Sequence, residues 1–342
     1  KKNIEILNYE IKTEINDIIY KSTQMNDFKN INLSKLTSDI FKNLALFSNM
    51  DNYIDELIKD YDAVVSGVLC FPKENFIAHR AKQLNIPVII WQHGEKGFND
   101  DITIGSTELN FASNYFCYSQ GVKSFYRDWM IRNSYHRDIE FHVCGTFDKK
   151  ILVNNNLDNK KIVYATGKWF KTAAPFNDVM NPDLRLYLAQ KSILNNLSKH
   201  GKNYNIVFKA NNTSHFNNVL HNYDNIEYDF KSSIKDLLYD AKLIILDSPS
   251  TTLIEACSTK IPIFVLGGRC DYNNKFIELI KKRVVWCDDL VSLTKELDLY
   301  LKSDIYNANL NSIDFLKNYS CLDSQDKVYE NLELNLKKII NY

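Results

Sequence analysis

A chain of 342 residues exceeds what a single hydrophobic core usually supports, so two domains are expected. Apolar residues make up 45% and charged residues 25%, which fits a globular protein and excludes a disordered or fibrous one. Basic and acidic side chains balance at 42 each, which removes any global argument for nucleic-acid binding.

Residues 1–60 pattern as amphipathic helix, with Ile40, Phe41, Leu44, Leu46 and Phe47 among the apolar positions. A short strand over Tyr61–Gly67 follows, then a helix over Glu74–Leu84 stopped by Asn85-Ile86-Pro87, then a buried strand over Val88–Trp91. Phe111–Tyr118 reads as strand, Ser119 to about Trp129 as helix, and Glu140–Cys144 as a strand ending at Gly145-Thr146-Phe147-Asp148. Polar Val153–Lys160 is the best linker. The alternation restarts with a strand over Ile162–Ala165, a helix over Pro182–His200, strands over Asn205–Phe208 and Asn225–Tyr228, and a short helix over Ser233–Asp240. Leu243–Leu246 and Ile263–Leu266 flank a turn and a helix, Arg283–Cys287 is a last strand, and helices including Ser324–Asn341 follow.

Strand–helix alternation on both sides of a linker predicts an α/β protein with two open parallel sheets, each covered by helices. The expected boundaries are an N-terminal Rossmann-like domain over 1–155, a second over 156–320, and a C-terminal helix over 321–342 packing back on the first. Ligands of such sheets bind beyond the carboxyl ends of the strands, so the cleft between the two is the expected site.

Cys70, Cys117, Cys144, Cys257, Cys270, Cys287 and Cys321 form no C-x-x-C pair. They read as reduced thiols of a cytoplasmic protein. No apolar run approaches the roughly 18 residues of a membrane span, and the first residues do not pattern as a secretory leader. The chain opens Lys1-Lys2-Asn3 without a Met and is expected to be a piece of a longer protein, one lacking acceptor-binding or membrane-anchoring segments.

Leu243–Gly268 is the most informative stretch. A buried strand stops at Asp247-Ser248-Pro249-Ser250-Thr251-Thr252, and a helix marked by Leu253, Ile254 and Ala256 follows before Pro262 and a second strand. A helix N-terminus offers backbone N–H groups and the positive end of the dipole to an anion such as a diphosphate. As a purely structural residue, Ser248 or Ser250 is an N-cap. Four hydroxyls in five residues, with Glu255 one turn into the helix, also fit a nucleotide phosphate site.

Other polar residues gather at strand ends: His93 and Glu95, Asp148, Gly167 and Lys168, Lys209, and Ser232. Their order resembles bacterial GT-B glycosyltransferases of the surface-polysaccharide type, those of capsule and lipopolysaccharide. It is also distantly similar to CDP-glycerol glycerophosphotransferases of teichoic acid. The resemblance covers roughly Tyr61 to Gly268. It is carried by Asp62-x-Val64-Val65 with Ile86-Pro87-Val88-Ile89-x-x-Gln92-His93-Gly94, by Tyr115 with Ser119 and Phe125, by Gly145-x-x-Asp148, by Val163-Tyr164-Ala165-Thr166, and by Asp236 to Ala256. Two places depart from it. A basic-His-Pro motif is replaced by Lys209-Ala210-Asn211-Asn212, and no Thr-Pro follows His93-Gly94, which favours a sugar transferase over a glycerophosphate transferase.

The resemblance implies two Rossmann-like domains facing a cleft, with a UDP- or CMP-linked sugar donor on the C-terminal one and a glycan or lipid-linked acceptor on the other. Ser248, Ser250, Thr251 and Thr252 would take the donor phosphates, Lys168 and Lys209 the leaving-group charge, and Glu255 the ribose. Gly167 belongs to the same loop cluster, and the backbone near Ser232 would hold the base. His93 is the expected general base, with Glu95 as its orienting partner or rival and Asp148 the next carboxylate. Asp100-Asp101 reads as a solvated turn, and no paired carboxylates mark a metal site, so a metal-independent enzyme without a cofactor is expected. Its expected place is the cytoplasm, at the inner membrane face through missing or partner segments. A UDP-sugar 2-epimerase and a degenerate, non-catalytic domain that binds a glycan or partner share the fold and stay open as alternatives.

Overall fold

The computed structural model describes residues 53–69, 72–94, 96–99, 104–147, 159–167, 183–210, 223–268 and 272–340. Within them lie two parallel sheets. The first contains β1 (Val64–Ser66), β2 (Val88–Trp91), β3 (Asn114–Cys117) and β4 (Glu140–Val143) in sequential order. The second contains β5 (Lys161–Ala165), β6 (Asn205–Lys209), β7 (Ile226–Asp229), β8 (Ala241–Leu246), β9 (Ile263–Leu266) and β10 (Val285–Cys287). Its order is β10-β9-β8-β5-β6-β7. The chain steps outward from β5 to one edge and returns through β8 to the other. The crevice outside the ends of β5 and β8 is therefore a topological switch point, where such sheets take ligands.

The central strands are continuous apolar runs because both faces are covered. All four residues of β9 are buried, as are five of six in β8. Alternation along β5 sends Val163 to a core shared with the first sheet, while Ile162 and Tyr164 enter a second core. Two helices frame the first sheet. α1 (Pro72–Gln83) opens on proline, which suits the first helical position. α2 (Gln120–Arg132) is capped by Ser119, whose hydroxyl accepts from Val122 N at 3.4 Å.

In the second sheet, α3 (Asp183–Ser198) lies over the second core, α4 (Ile234–Leu238) leads into β8, and α5 (Thr251–Cys257) joins β8 to β9. α6 (Asn274–Ile280) has no clear apolar period; its start is fixed by Asn273, which accepts from Lys275 N and Phe276 N. α7 (Leu290–Ser303) packs on β9 and β10. α8 (Asp314–Tyr319) packs on α2 and α6, and the Ser119 hydroxyl donates to Asn318 O. α9 (Gln325–Ile339) then covers the outer face of the first sheet, where Val328 and Leu332 bury against Ile89, Phe116 and Cys144.

Two local departures from the sequence reading stand out. The strand expected over Phe111–Tyr118 is confined to Asn114–Cys117, because Ala112 N closes a turn onto Leu109 O at 3.2 Å. The stretch before it contains a π-helical turn, Gly105–Leu109. The described cysteines 117, 144, 257, 287 and 321 are buried and unpaired, and burial pushes the Cys257 thiol up to about 12, far from a reactive thiolate. Among the described residues no helix is long and apolar enough to cross a membrane.

Candidate functional site

The donor-side residues are organised by one carboxylate of the turn to which the sequence reading gave no role of its own. Asp247 directly follows β8 and is fully buried. Its Oδ2 accepts from the Tyr164 and Thr166 hydroxyls at 2.6 Å each, and its Oδ1 accepts from Gly167 N at 2.6 Å. Gln190 of α3 donates to the Thr166 hydroxyl from behind. Buried carboxylate oxygens need hydrogen-bond donors, and these contacts supply them while stitching the end of β5 to the end of β8. The apposition is tight: a Cβ added at Gly167 would lie 2.9 Å from Ser248 Cβ. Gly167 is thus required by close approach.

Beyond Asp247 the chain turns through Ser248 and Pro249 into α5. Ser250 is its N-cap, with extended backbone and a side chain that accepts from Thr252 N at 3.4 Å. The structural role considered for Ser250 is therefore real. It does not exhaust the residue, because a hydroxyl that accepts through a lone pair still has its O–H to donate. Thr251, Thr252 and Glu255 are half-buried on the first turns of α5.

A second group lies at the ends of β6 and β7. The Lys209 ammonium reaches Ala210 O at 3.4 Å. Asp229 accepts from Lys231 N at 2.8 Å and Ser232 N at 2.9 Å, which shapes the turn into α4. Partial burial works to raise the Asp229 carboxyl. The Ser232 side chain, the two backbone N–H groups and the nearby Lys209 charge outweigh it and hold the carboxyl below its ordinary value. Lys209 and Ser232 thus share one edge of the sheet, flanking the switch point.

Across from α5 stands the loop after β2. Gln92 is buried; its side chain accepts from Tyr118 N at 2.8 Å and donates to Gly94 O at 3.0 Å. His93 is exposed between these anchors. Gly94 has φ +64, and a Cβ there would sit 3.0 Å from Thr251 Oγ1. The end of β2 and the start of α5 therefore meet directly, bringing the His93 turn beside the hydroxyl turn. An antiparallel bridge between Asn99 and Tyr272, with Asn273 N donating to Phe98 O at 2.8 Å, ties the two units together nearby.

Glu95, Lys168 and Asp148 lie outside the described residues. The described candidates fall into three neighbouring groups: Gly167 with Ser248 to Thr252 and Glu255, Lys209 with Ser232, and His93 alone on its loop. Asp247 and Gln92 were missed as buried organisers. The signal was present, since each is a polar residue directly terminating an apolar strand.

The fold these sheets define is of the GT-B type, two parallel-sheet α/β units. TarM matches with a TM-score of 0.53 at 15% identity, over 86% of this chain and 58% of that one. UDP-GlcNAc 2-epimerase from Neisseria meningitidis, bound to UDP-GlcNAc, matches at 0.52 and 14% identity, over 85% and 81%. The pneumococcal O-GlcNAc transferase GtfA, in complex with UDP and GlcNAc, matches at 0.50 and 10% identity, over 78% and 55%. The chain thus spans a little over half the length of GtfA and TarM. No protein-family model matches the sequence, and no curated protein matches it.

Proposed function

We propose that the chain is a metal-independent glycosyltransferase that moves a sugar from a UDP- or CMP-linked donor to a hydroxyl of a bacterial surface glycan. The observation that carries this reading is the meeting of the His93-Gly94 turn with Thr251, which sets a base candidate beside a phosphate-binding candidate. Two structures of the same fold hold UDP or UDP-GlcNAc, which supports a nucleotide sugar as the ligand.

In the proposed reaction the acceptor hydroxyl gives its proton to His93 as its oxygen bonds to the anomeric carbon. The bond from that carbon to the phosphate oxygen breaks, and the nucleotide leaves. The Ser250 and Thr251 hydroxyls, with the Lys209 charge, stabilise the negative charge that develops there, which is electrostatic preorganisation. Ser232 faces the nucleoside end and Glu255 the ribose. Among the described residues no group of three His, Cys, Asp or Glu side chains converges to hold a metal ion. Association with the inner membrane face belongs to the same proposal.

A second reading, a UDP-sugar 2-epimerase, is favoured by one observation: the chain spans 81% of the Neisseria epimerase. The test separates them. Wild type and His93→Ala are incubated with UDP- and CMP-sugars with and without a glycan acceptor, and donor Kd is measured alongside. Transfer only with acceptor, a loss of about 10²–10⁴ in kcat for His93→Ala, and unchanged donor Kd are expected. Sugar inversion without acceptor establishes the epimerase. Absence of nucleotide binding refutes both.

A further inference from the structure

The buried charge of Glu108 lies outside that mechanism. Glu108 lies in the π-helical turn Gly105–Leu109, with its side chain 6% exposed. Its Oε2 accepts from the Tyr115 hydroxyl at 2.9 Å and from the Tyr126 hydroxyl, and the two hydroxyls are 2.8 Å apart. Its Oε1 is 2.5 Å from the ammonium of Lys96, which is 27% exposed. Burial, reinforced by the Glu108 charge, pushes both tyrosines well above their ordinary value, so they remain hydroxyl donors.

For stability alone this arrangement is a poor investment. A buried ion pair is often matched or exceeded by apolar side chains of the same volume, whereas removing one partner is costly. Single π-turns interrupt regular helix bonding and recur at functional sites. Here the turn, itself part of the connection between β2 and β3, presents Glu108 to Lys96 in the segment just after β2. Tyr135 steadies it by donating to Gly105 O at 3.0 Å.

The loop in question is the one that bears His93. Gln92 fixes its start to Tyr118 N and Gly94 O. Gly97 fixes its end: φ is +83, and a Cβ would lie 3.1 Å from Tyr319 Cε1. Between those two points Lys96 is drawn inward by Glu108, three residues after His93. Gln92, Lys96 and Gly97 are thus each held by a contact outside the segment, and His93 lies exposed between the first two.

We infer that the Lys96–Glu108 ion pair is a positioning device for His93, setting the height and angle of its loop against the start of α5. The inference rests on the transferase reading for what His93 does, but not for where the loop is held. Neither Lys96 nor Glu108 is assigned contact with substrate; both act through the loop. Preorganisation of this kind matters because small misplacements of a reacting group lower turnover steeply.

The test uses Lys96→Met, Glu108→Gln and the charge-retaining Lys96→Arg in the full chain. Because Glu108→Gln disturbs a buried network and risks misfolding, half-exposed Lys96 provides the primary variant. Hydrogen exchange at the amides of His93, Gly94 and Lys96 is measured with kcat and donor Kd. Lys96→Met is expected to speed exchange at these amides by about tenfold and lower kcat by about tenfold or more, with donor Kd within about twofold and exchange in β8 unchanged. Lys96→Arg is expected to restore most of both. Unchanged exchange overturns the inference, as does faster exchange with unchanged kcat. If wild type transfers no sugar, the transferase reading fails by itself, and exchange at the loop still decides whether the pair holds it.

Discussion

Asp247→Asn is the sharpest probe of the donor side. The wild-type carboxylate accepts from Tyr164, Thr166 and Gly167 across its two oxygens, at 2.6 Å each, in a fully buried position. An amide of the same shape keeps one acceptor oxygen and puts N–H groups where the other stood. With its oxygen toward Gly167 N, the Tyr164 and Thr166 hydroxyls lose their acceptor. Turned over, the amide opposes an N–H to the Gly167 N–H. Either way at least one charge-assisted bond is lost, a cost of about 1.5–3 kcal/mol. For a unit of this size a loss near 2 kcal/mol lowers Tm by roughly 4–8 °C. Calorimetric melts at pH 7 with and without UDP read both consequences: a lower Tm, and a smaller UDP-induced rise because Gly167 and Ser248 are no longer held in register. A Tm within about 1 °C of wild type refutes the view that Asp247 organises the crevice.

Ser250→Ala with Thr251→Ala is expected to cost about 1 kcal/mol of stability through the lost cap. Nucleotide affinity should fall by about 1.5–3 kcal/mol per lost charge-assisted bond, read by calorimetric titration. Turnover is expected to survive excess EDTA; loss on chelation, restored by Mg²⁺ or Mn²⁺, would remove the metal-independent mechanism. His142 sits between Asn335 and Asn114, with Glu140 3.7 Å away, and burial holds its ring below the ordinary value. The unfolded chain therefore takes up this proton first as pH falls. The stability contributed by neutral His142 is complete above about 6.5 and drains away below it. Thermal melts from pH 7.5 to 5 should show a smaller acid loss in His142→Gln than in wild type.

The strands were legible because their physics is local. Val88–Trp91, Leu243–Leu246 and Ile263–Leu266 are apolar runs bounded by turn residues, and a strand buried on both faces needs no other signal. Ser119 and Ser250 announced helix starts by cap chemistry. What stayed hidden depends on partners distant in sequence. Nothing near Asp247 says that Tyr164 and Thr166, about eighty positions earlier, will supply its donors. The π-turn at Gly105–Leu109 has no periodic signature, and Glu108 looks like any surface glutamate until Tyr115, Tyr126 and Lys96 close around it. α6 and α8 are too short for their apolar faces to register as a period.

The return of α9 has a consequence for the order in which the protein is made. Ile89, Phe116 and Cys144 leave the ribosome well before the side chains that cover them: Val328 and Leu332 emerge almost two hundred residues after Cys144. Domains usually fold as units during synthesis, the N-terminal one first. Here the face of the first sheet that α9 covers waits for that helix throughout translation of the second sheet. The sheet and the helix that covers it are separated in sequence by the whole of the second sheet. A fragment ending near residue 155 should therefore bind the dye ANS and aggregate. Adding the 321–342 segment in trans should protect it, because the missing layer is supplied in kind.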